Sequence, residues 1–458
     1  MGDVREFDVV VLGAGPAGEV SAGRLAKDGL SVALVEAELV GGECSFYACM
    51  PSKALLRPAQ ALAEARRVPG AAQAAQGELD SSAVLRRRDE VIHGLDDSTK
   101  LPWLQERSIA LVRGRGMIAG EREVAVGDEL LRARRAVVLA PGSAAAIPPI
   151  PGLREASPWT SREVTTAGAI PASLLVLGGG VVGVEMAGAY ASLGAEVTIV
   201  EAGPRLIAAE EEFASDLVRE SLEGLGVEVA LGVRASGVRR EASSAPVTLE
   251  LEDGRSFAGE ELLVATGRRP RTDMLGLESL GLEPGEPVEV DDRMRVPGHE
   301  WLYVVGDANG RALLTHMGKY QGRIAADDIL GRAAGPFGGE PAVTRVIFTE
   351  PQVAAVGHTL ASAGEAGLKV RAVDAPVGEN PGGSFVGRGA PGTARIVVEE
   401  DRRVLVGATF TGVEVAESLH AATIAVVGEV PLERLWHAIP SFPTRSEVWL
   451  KLLEGYGL

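Results

Sequence analysis

The sequence predicts an α/β protein with two doubly wound parallel sheets, and three observations carry the prediction. An apolar, strand-like run leads into a glycine turn and an alanine-rich helix; the whole pattern recurs once; and both copies place an acid at the same interval after the turn. The copies are DVVVLGAGPAGEV...LSVALVEA near the start and SLLVLGGGVVGVE...AEVTIVEA from Ser173. Internal similarity of this length marks two supersecondary units of one kind.

Each turn has the form GxGxxG, with Gly13, Gly15 and Gly18 in the first copy and Gly178, Gly180 and Gly183 in the second. Glu36 follows Gly13 by 23 residues, and Glu201 follows Gly178 by 23. The interval is close to the roughly 20 residues of a dinucleotide-binding unit. In such a unit one glycine makes the tight turn, one lets the backbone approach a pyrophosphate, and one permits close packing of helix on strand, while the acid binds ribose hydroxyls. Two complete copies imply two dinucleotides, a flavin (FAD) on one and a nicotinamide nucleotide on the other. A carboxylate at Glu201 repels a 2′-phosphate and favours NAD(H), with Arg205 nearby keeping NADP(H) open.

Composition narrows the class further. With 458 residues the chain is long enough for two to four domains. Hydrophobic residues are 46% and charged residues 24%, without the run of about eighteen apolar residues that a membrane span needs. The start, MGDVREF, enters a strand directly instead of showing the zones of a secretory signal, so a cytoplasmic protein is expected. A net charge of −18 without a large basic cluster argues against nucleic acid as a partner. Only two cysteines occur, Cys44 and Cys49. That excludes a secreted disulfide framework and a four-thiolate zinc site, and no metal site is expected; in a reducing compartment such a pair points to catalysis.

The cysteines lie in GGECSFYACMPSKALLRP, residues 41–58. This stretch, with ATGRRP at Ala265–Pro270, APGS at Ala140–Ser143, VVGDANG around Asp307, THMGKYQGR from Thr315 and FTEPQVAAVG from Phe348, resembles the class I pyridine nucleotide-disulfide oxidoreductases over nearly the whole chain. That is the family of dihydrolipoamide dehydrogenase, glutathione reductase and mercuric reductase. The resemblance implies that Asp307 binds flavin ribityl hydroxyls and that Lys53, paired with Glu185, sits near the flavin, where a cation stabilises its reduced form. It also places Gly116, Ser143, Thr315, His316 and Gly267 among the cofactor-binding positions, His316 capping or packing at the helix start. Cys49 becomes the flavin-proximal thiolate and Cys44 the thiol that attacks substrate. Both sit where a loop enters a helix, a setting that lowers thiol pKa. Residues five apart on a regular helix do not face each other, so a distorted helix start is expected.

One departure from the family lies in LWHAIPSFPTRSEVWLKLL. The family carries a histidine directly before Pro-Thr that serves the partner subunit's cysteines as acid and base; Phe442 stands there. A positioned acid or base contributes about 10²- to 10⁴-fold, so turnover on a poor thiolate leaving group should suffer by that factor. Glu447, which would orient the histidine, loses that task, and His437 is the nearby candidate for a substitute.

The expected architecture is an FAD-binding domain from residues 1–148 and 268–340, an NAD(P)-binding domain at 149–267 and a C-terminal α+β dimerisation domain at 341–458, with a homodimer completing the cysteine site. Asp253-Gly254 marks a hairpin, and residues 58–98 read as two helices broken near Pro69-Gly70. Three functions fit: a reductase whose cysteine pair acts on a small-molecule disulfide or other thiol-reactive acceptor, a diaphorase that reduces quinones directly from flavin, and a redox-sensing FAD-binding protein with little turnover.

Overall fold

A computed structural model describes residues 4–242, 245–332, 335 and 342–458. The expected domain boundary at 340/341 lies outside the described residues. The chain divides into two units, one of Met1–Pro51, Arg88–Ala146 and Arg268–Glu340, the other of Ser52–Arg87, Ile147–Gly267 and Pro341–Leu458.

In the first unit the central strand Val4–Leu12 lies between Val32–Glu36 and Glu129–Leu139, all parallel. Ala110–Arg113 extends the sheet on one side and His299–Val304 on the other, also in parallel. Val9, Val10 and Val11 are fully buried, as expected of parallel strands covered on both faces. The strand ends at Leu12, where Gly13 takes φ +101° and the helix Pro16–Lys27 begins.

The second unit repeats this at Ser173–Leu177, flanked in parallel by Glu196–Glu201 and Glu261–Val264 and followed by the helix Val181–Ser192. It adds an antiparallel three-stranded sheet in which Val247–Leu251 pairs with Ser256–Gly259 around Gly254 at φ +86°. The Asp253-Gly254 hairpin is thus present. A five-stranded antiparallel sheet formed by residues 344–412 carries the helices Leu419–Val427 and Val448–Tyr456 over its apolar face. The fold class is therefore α/β with two parallel nucleotide-type sheets and an α+β C-terminal part. Between residues 58 and 98, Pro58 lies inside the helix Cys49–Arg67. The break falls at residues 68–70, followed by a single turn, Ala71–Ala74, and the helix Ser81–Val91.

The glycine turns are alike to the atom. A Cβ on Gly13 would stand 2.2 Å from the carbonyl of Ala140, and one on Gly178 2.5 Å from that of Ala265. On Gly18 it would stand 1.9 Å from the Gly13 carbonyl, on Gly183 2.0 Å from the Gly178 carbonyl. At Gly15 and Gly180 an added Cβ meets nothing within 4 Å among the described residues. Two glycines of each turn are thus required by the fold, while the middle one borders open space. Accordingly, Gly18→Ala should cost at least about 1–3 kcal/mol of stability through overpacking, whereas Gly15→Ala should leave the stability of the flavin-stripped protein within about 0.5 kcal/mol yet sharply lower the bound flavin. Denaturant unfolding and flavin absorbance of the two purified variants check this.

Candidate active site

The cysteine segment is anchored on the first glycine turn. The Gly41 amide donates to the Ala14 carbonyl at 2.8 Å, and Gly42, at φ +60°, approaches so closely that a Cβ on it would stand 2.7 Å from the Gly15 Cα. Cys44 lies in the short helix Gly42–Phe46, which ends at Tyr47 with φ −132°, and Cys49 opens the helix Cys49–Arg67. The expected distortion is therefore a break between two helical segments, which turns both sulfurs to one place. The two cysteines are not disulfide-bonded. Cys44 is hydrogen-bonded to Cys49, and the Thr315 hydroxyl lies 3.1 Å from the Cys44 Sγ and 3.4 Å from the Cys49 Sγ. The hydrogen bond to Cys49, burial and the neighbouring sulfur's charge all push the Cys44 thiol well above the usual thiol range; Thr315 and Lys319 act against them. The rise runs against the lowered thiol pKa expected where a loop enters a helix, because the adjacent sulfur and burial outweigh the helix start.

Thr315 starts the helix Thr315–Ile329, which packs on Pro16–Lys27 where Gly318 and Gly322 face Ala17 and Ser21. His316, expected to cap or pack there, is exposed. Just before this helix, Asp307 accepts from the Ser143 hydroxyl at 2.5 Å, and Arg268 donates to the Ser143 Oγ at 2.7 Å and to the Ser143 carbonyl at 2.9 Å. Arg268 also lies 3.8 Å from Glu43, which Arg271 approaches to 3.4 Å. An ion-pair and hydrogen-bond network thus runs from Asp307 to the residue beside Cys44. Gly116 opens the strand Gly116–Gly120 with its Cα against Leu12 and Val35, and Gly267 takes φ +143° before the strand Arg268–Pro270.

Both acids of the repeat are held by their own turns. Glu36 accepts from the amides of Ala14 and Glu38, each at 2.7 Å; Glu201 accepts from those of Gly179 and Gly203, each at 2.6 Å. Each carboxylate is therefore fixed at the edge of its glycine turn, with lone pairs remaining for ribose hydroxyls. The open space at Gly15 and Gly180 and the fixed acids fit two dinucleotides.

In the second unit the Lys53 Nζ lies 2.7 Å from Glu185 Oε2. Glu185 is buried, and its other oxygen accepts the Phe348 amide at 2.9 Å. The Lys53 ammonium stands 4.8 Å from the centre of the Phe348 ring. A buried carboxylate with both oxygens engaged holds the cation in one position, which a surface pair does not. Phe442 is 76% exposed and His437 is exposed, while Glu447 accepts from the Gly382 amide at 3.3 Å.

A glycine turn repeated in two parallel sheets, with a thiol pair seated on the first, defines a dinucleotide-dependent redox protein. Residues 7–322 match the family model described as pyridine nucleotide-disulphide oxidoreductase, and residues 343–453 match the dimerisation domain of that family. The chain belongs to the pyridine nucleotide-disulphide oxidoreductases. It is similar to a dihydrolipoyl dehydrogenase of Haloferax volcanii, 32% identical with 99% of this chain and 97% of the relative covered, and to one of Thermus scotoductus, 33% identical with 99% and 98% covered. Among solved structures it is similar to the HOCl-induced flavoprotein disulfide reductase RclA from Escherichia coli, with a TM-score of 0.85, 26% identity and coverage of 98% of this chain and 99% of that one. The protein is an oxidoreductase that binds FAD and a pyridine nucleotide. No described helix is long and apolar enough to cross a membrane.

Sequence reasoning missed four contributors: the Thr315 hydroxyl at the sulfurs, Arg268 behind Ser143 and Asp307, Phe348 on Lys53, and Glu43 beside Cys44. All four lie in stretches that resemble the family, but the contacts themselves join residues far apart in the chain or follow from the local backbone path. Because Cys49 holds the Cys44 pKa up, Cys49→Ser should lower it, so alkylation of Cys44 should begin at lower pH. A one-unit fall gives about a tenfold faster reaction near neutral pH. Iodoacetamide rates measured against pH on the reduced protein test the sign.

Proposed function

We propose that the protein is an NADH-oxidising flavoprotein reductase whose Cys44–Cys49 pair passes two electrons to a small-molecule disulfide or related thiol-reactive acceptor. The observation that carries this reading is the hydrogen-bonded thiol pair held against the Gly15 turn. Residues 1–148 and 268–340 hold FAD through Gly13, Gly15, Gly18, Glu36 and Asp307; residues 149–267 hold NADH through Gly178, Gly180, Gly183 and Glu201; residues 341–458 join a second copy. Bound FAD supplies the two-electron relay between the nicotinamide hydride and the sulfur pair.

The remaining chemistry belongs to the chain. The Cys44 thiolate attacks one sulfur of the acceptor, forming a mixed disulfide and expelling the first thiolate, which takes up a proton. Cys49, giving its proton to solvent, then attacks the Cys44 sulfur, closing the Cys44–Cys49 bond and releasing the second thiolate. Two thiols are oxidised and one disulfide is reduced, so electrons and atoms balance. With Phe442 in place of a histidine, protonation of the leaving thiolate falls to solvent, and acceptors with acidic, easily expelled thiols are favoured. Lys53, held by Glu185, places a fixed positive charge for the reduced flavin.

The geometry around Glu201 supports NADH over NADPH. Arg205 donates to the carbonyls of Ala208 at 2.7 Å and Glu210 at 2.8 Å, so its guanidinium is engaged within the chain. Glu201 presents a carboxylate at the position a 2′-phosphate must approach. The kcat/KM with NADH should exceed that with NADPH by about 10²-fold, the value of one unpaired buried charge at roughly 3 kcal/mol, as steady-state rates with each nucleotide will show.

A second reading, direct quinone reduction, is favoured by the exposed apolar Phe442 and Ile439, 76% and 83% exposed. Anaerobic titration with NADH separates the readings. A long-wavelength thiolate-to-flavin absorbance after two electrons, and loss of at least about 10³-fold in disulfide turnover in Cys44→Ser as for a lost nucleophile, are the outcomes expected here. A Cys44→Ser variant that keeps full quinone turnover, in an enzyme inert to disulfides, would replace the first reading by the second.

A further inference from the structure

Thr315 is the first residue of the helix Thr315–Ile329, with its hydroxyl 3.1 Å from one catalytic-pair sulfur and 3.4 Å from the other. A hydroxyl has one proton to donate and two lone pairs to accept with. It can therefore donate to one sulfur while accepting from the thiol of the other, and exchange those roles by a rotation about one bond. The side chain sits at the positive end of a helix of 15 residues, where an anion is stabilised.

The charges around the pair come from several elements. Lys319, one turn further along the same helix, favours the thiolate of Cys44. Glu19, on the helix Pro16–Lys27, faces Lys319 and Lys100, and burial raises its pKa. Glu43, next to Cys44, is countered by Arg268 at 3.8 Å and Arg271 at 3.4 Å. Among these groups Thr315 alone contacts both sulfurs, and it cannot change its own charge in the accessible pH range.

We propose that Thr315 is a positioning residue for the thiol pair, its single hydroxyl donating to whichever sulfur is anionic, so that the charge passes between Cys49 and Cys44 without a histidine at position 442. The inference rests on the proposed thiol chemistry. The proton leaving Cys44 goes to the Cys49 thiolate, the net charge of the pair is unchanged, and no electron moves in this step. The hydroxyl follows the charge from one sulfur to the other. A neutral donor serving both sulfurs keeps the anion stabilised at each stage, which matters most where the external acid is missing.

The test uses the two-electron-reduced holoenzyme and its Thr315→Ala, Thr315→Val and Thr315→Ser variants. Iodoacetamide alkylation is followed against pH, together with the long-wavelength thiolate-to-flavin absorbance. A hydrogen bond to a charged group is worth about 1.5–3 kcal/mol, so Ala and Val should lower the alkylation rate near neutral pH by about tenfold or more. Ser should restore it to within about twofold of the wild type, because it keeps the donor. If Val disturbs folding, Ala decides, with flavin content as the control. An Ala profile superimposed on that of the wild type, or a Ser profile displaced as far as that of Ala, overturns the proposal. Wild-type turnover with a disulfide acceptor separates this from the functional reading. A displaced Ala profile in an enzyme inert to disulfides sinks that reading and keeps the role of Thr315; disulfide turnover with no displacement does the reverse.

Discussion

Backbone packed on backbone at the glycine turn is the constraint on which the first unit depends. Gly18 comes so near the Gly13 carbonyl, and Gly13 so near that of Ala140, that a methyl group at either position would occupy filled space. This contact locks strand, turn and helix together and leaves the Gly15 side of the turn open. Gly42 then settles on Gly15. One local packing requirement thus sets both the cradle for a pyrophosphate and the distance from that cradle to Cys44. The second unit uses the same contacts at Gly178 and Gly183 without a cysteine segment, which is consistent with a purely nucleotide-binding role.

Polar groups around the site are arranged in closed sets. Glu36 and Glu201 each take two amides of their own turn, so neither acid depends on a ligand to stay in place. Arg268 fixes Ser143, and Ser143 fixes Asp307. Lys53 is positioned by a buried carboxylate that is itself held by the Phe348 amide. In each case a charged group is oriented by a neighbour within the chain, so its orientation is preset in folding.

The thiol pair is the exception, because its charge must move. The hydrogen bond to Cys49 and burial push the Cys44 thiol up, which opposes its use as a nucleophile. A histidine would relieve this by taking the proton. Phe442 cannot, and Glu447 accepts from the Gly382 amide. The Thr315 hydroxyl lies at both sulfurs, and the charge of Lys319 favours the Cys44 thiolate.

Much of this was readable in the chain itself. GxGxxG with an acid 23 residues on, twice, determined two parallel sheets and two dinucleotides, because those glycines answer a steric demand that only glycine meets within a few residues of sequence. CxxxxC followed by Pro-Ser-Lys, and Phe442 before Pro-Thr, pointed to a redox pair without the family's histidine for the same reason: the chemistry is written in neighbouring residues. The structure alone decided that Thr315 spans both sulfurs, that Arg268 stands behind Ser143 and Asp307, that Arg205 is engaged with its own loop, and that Phe348 covers Lys53. Cys44 and Thr315 are 271 residues apart. Contacts at such separations are set by how helices and strands pack, and no local spacing records them.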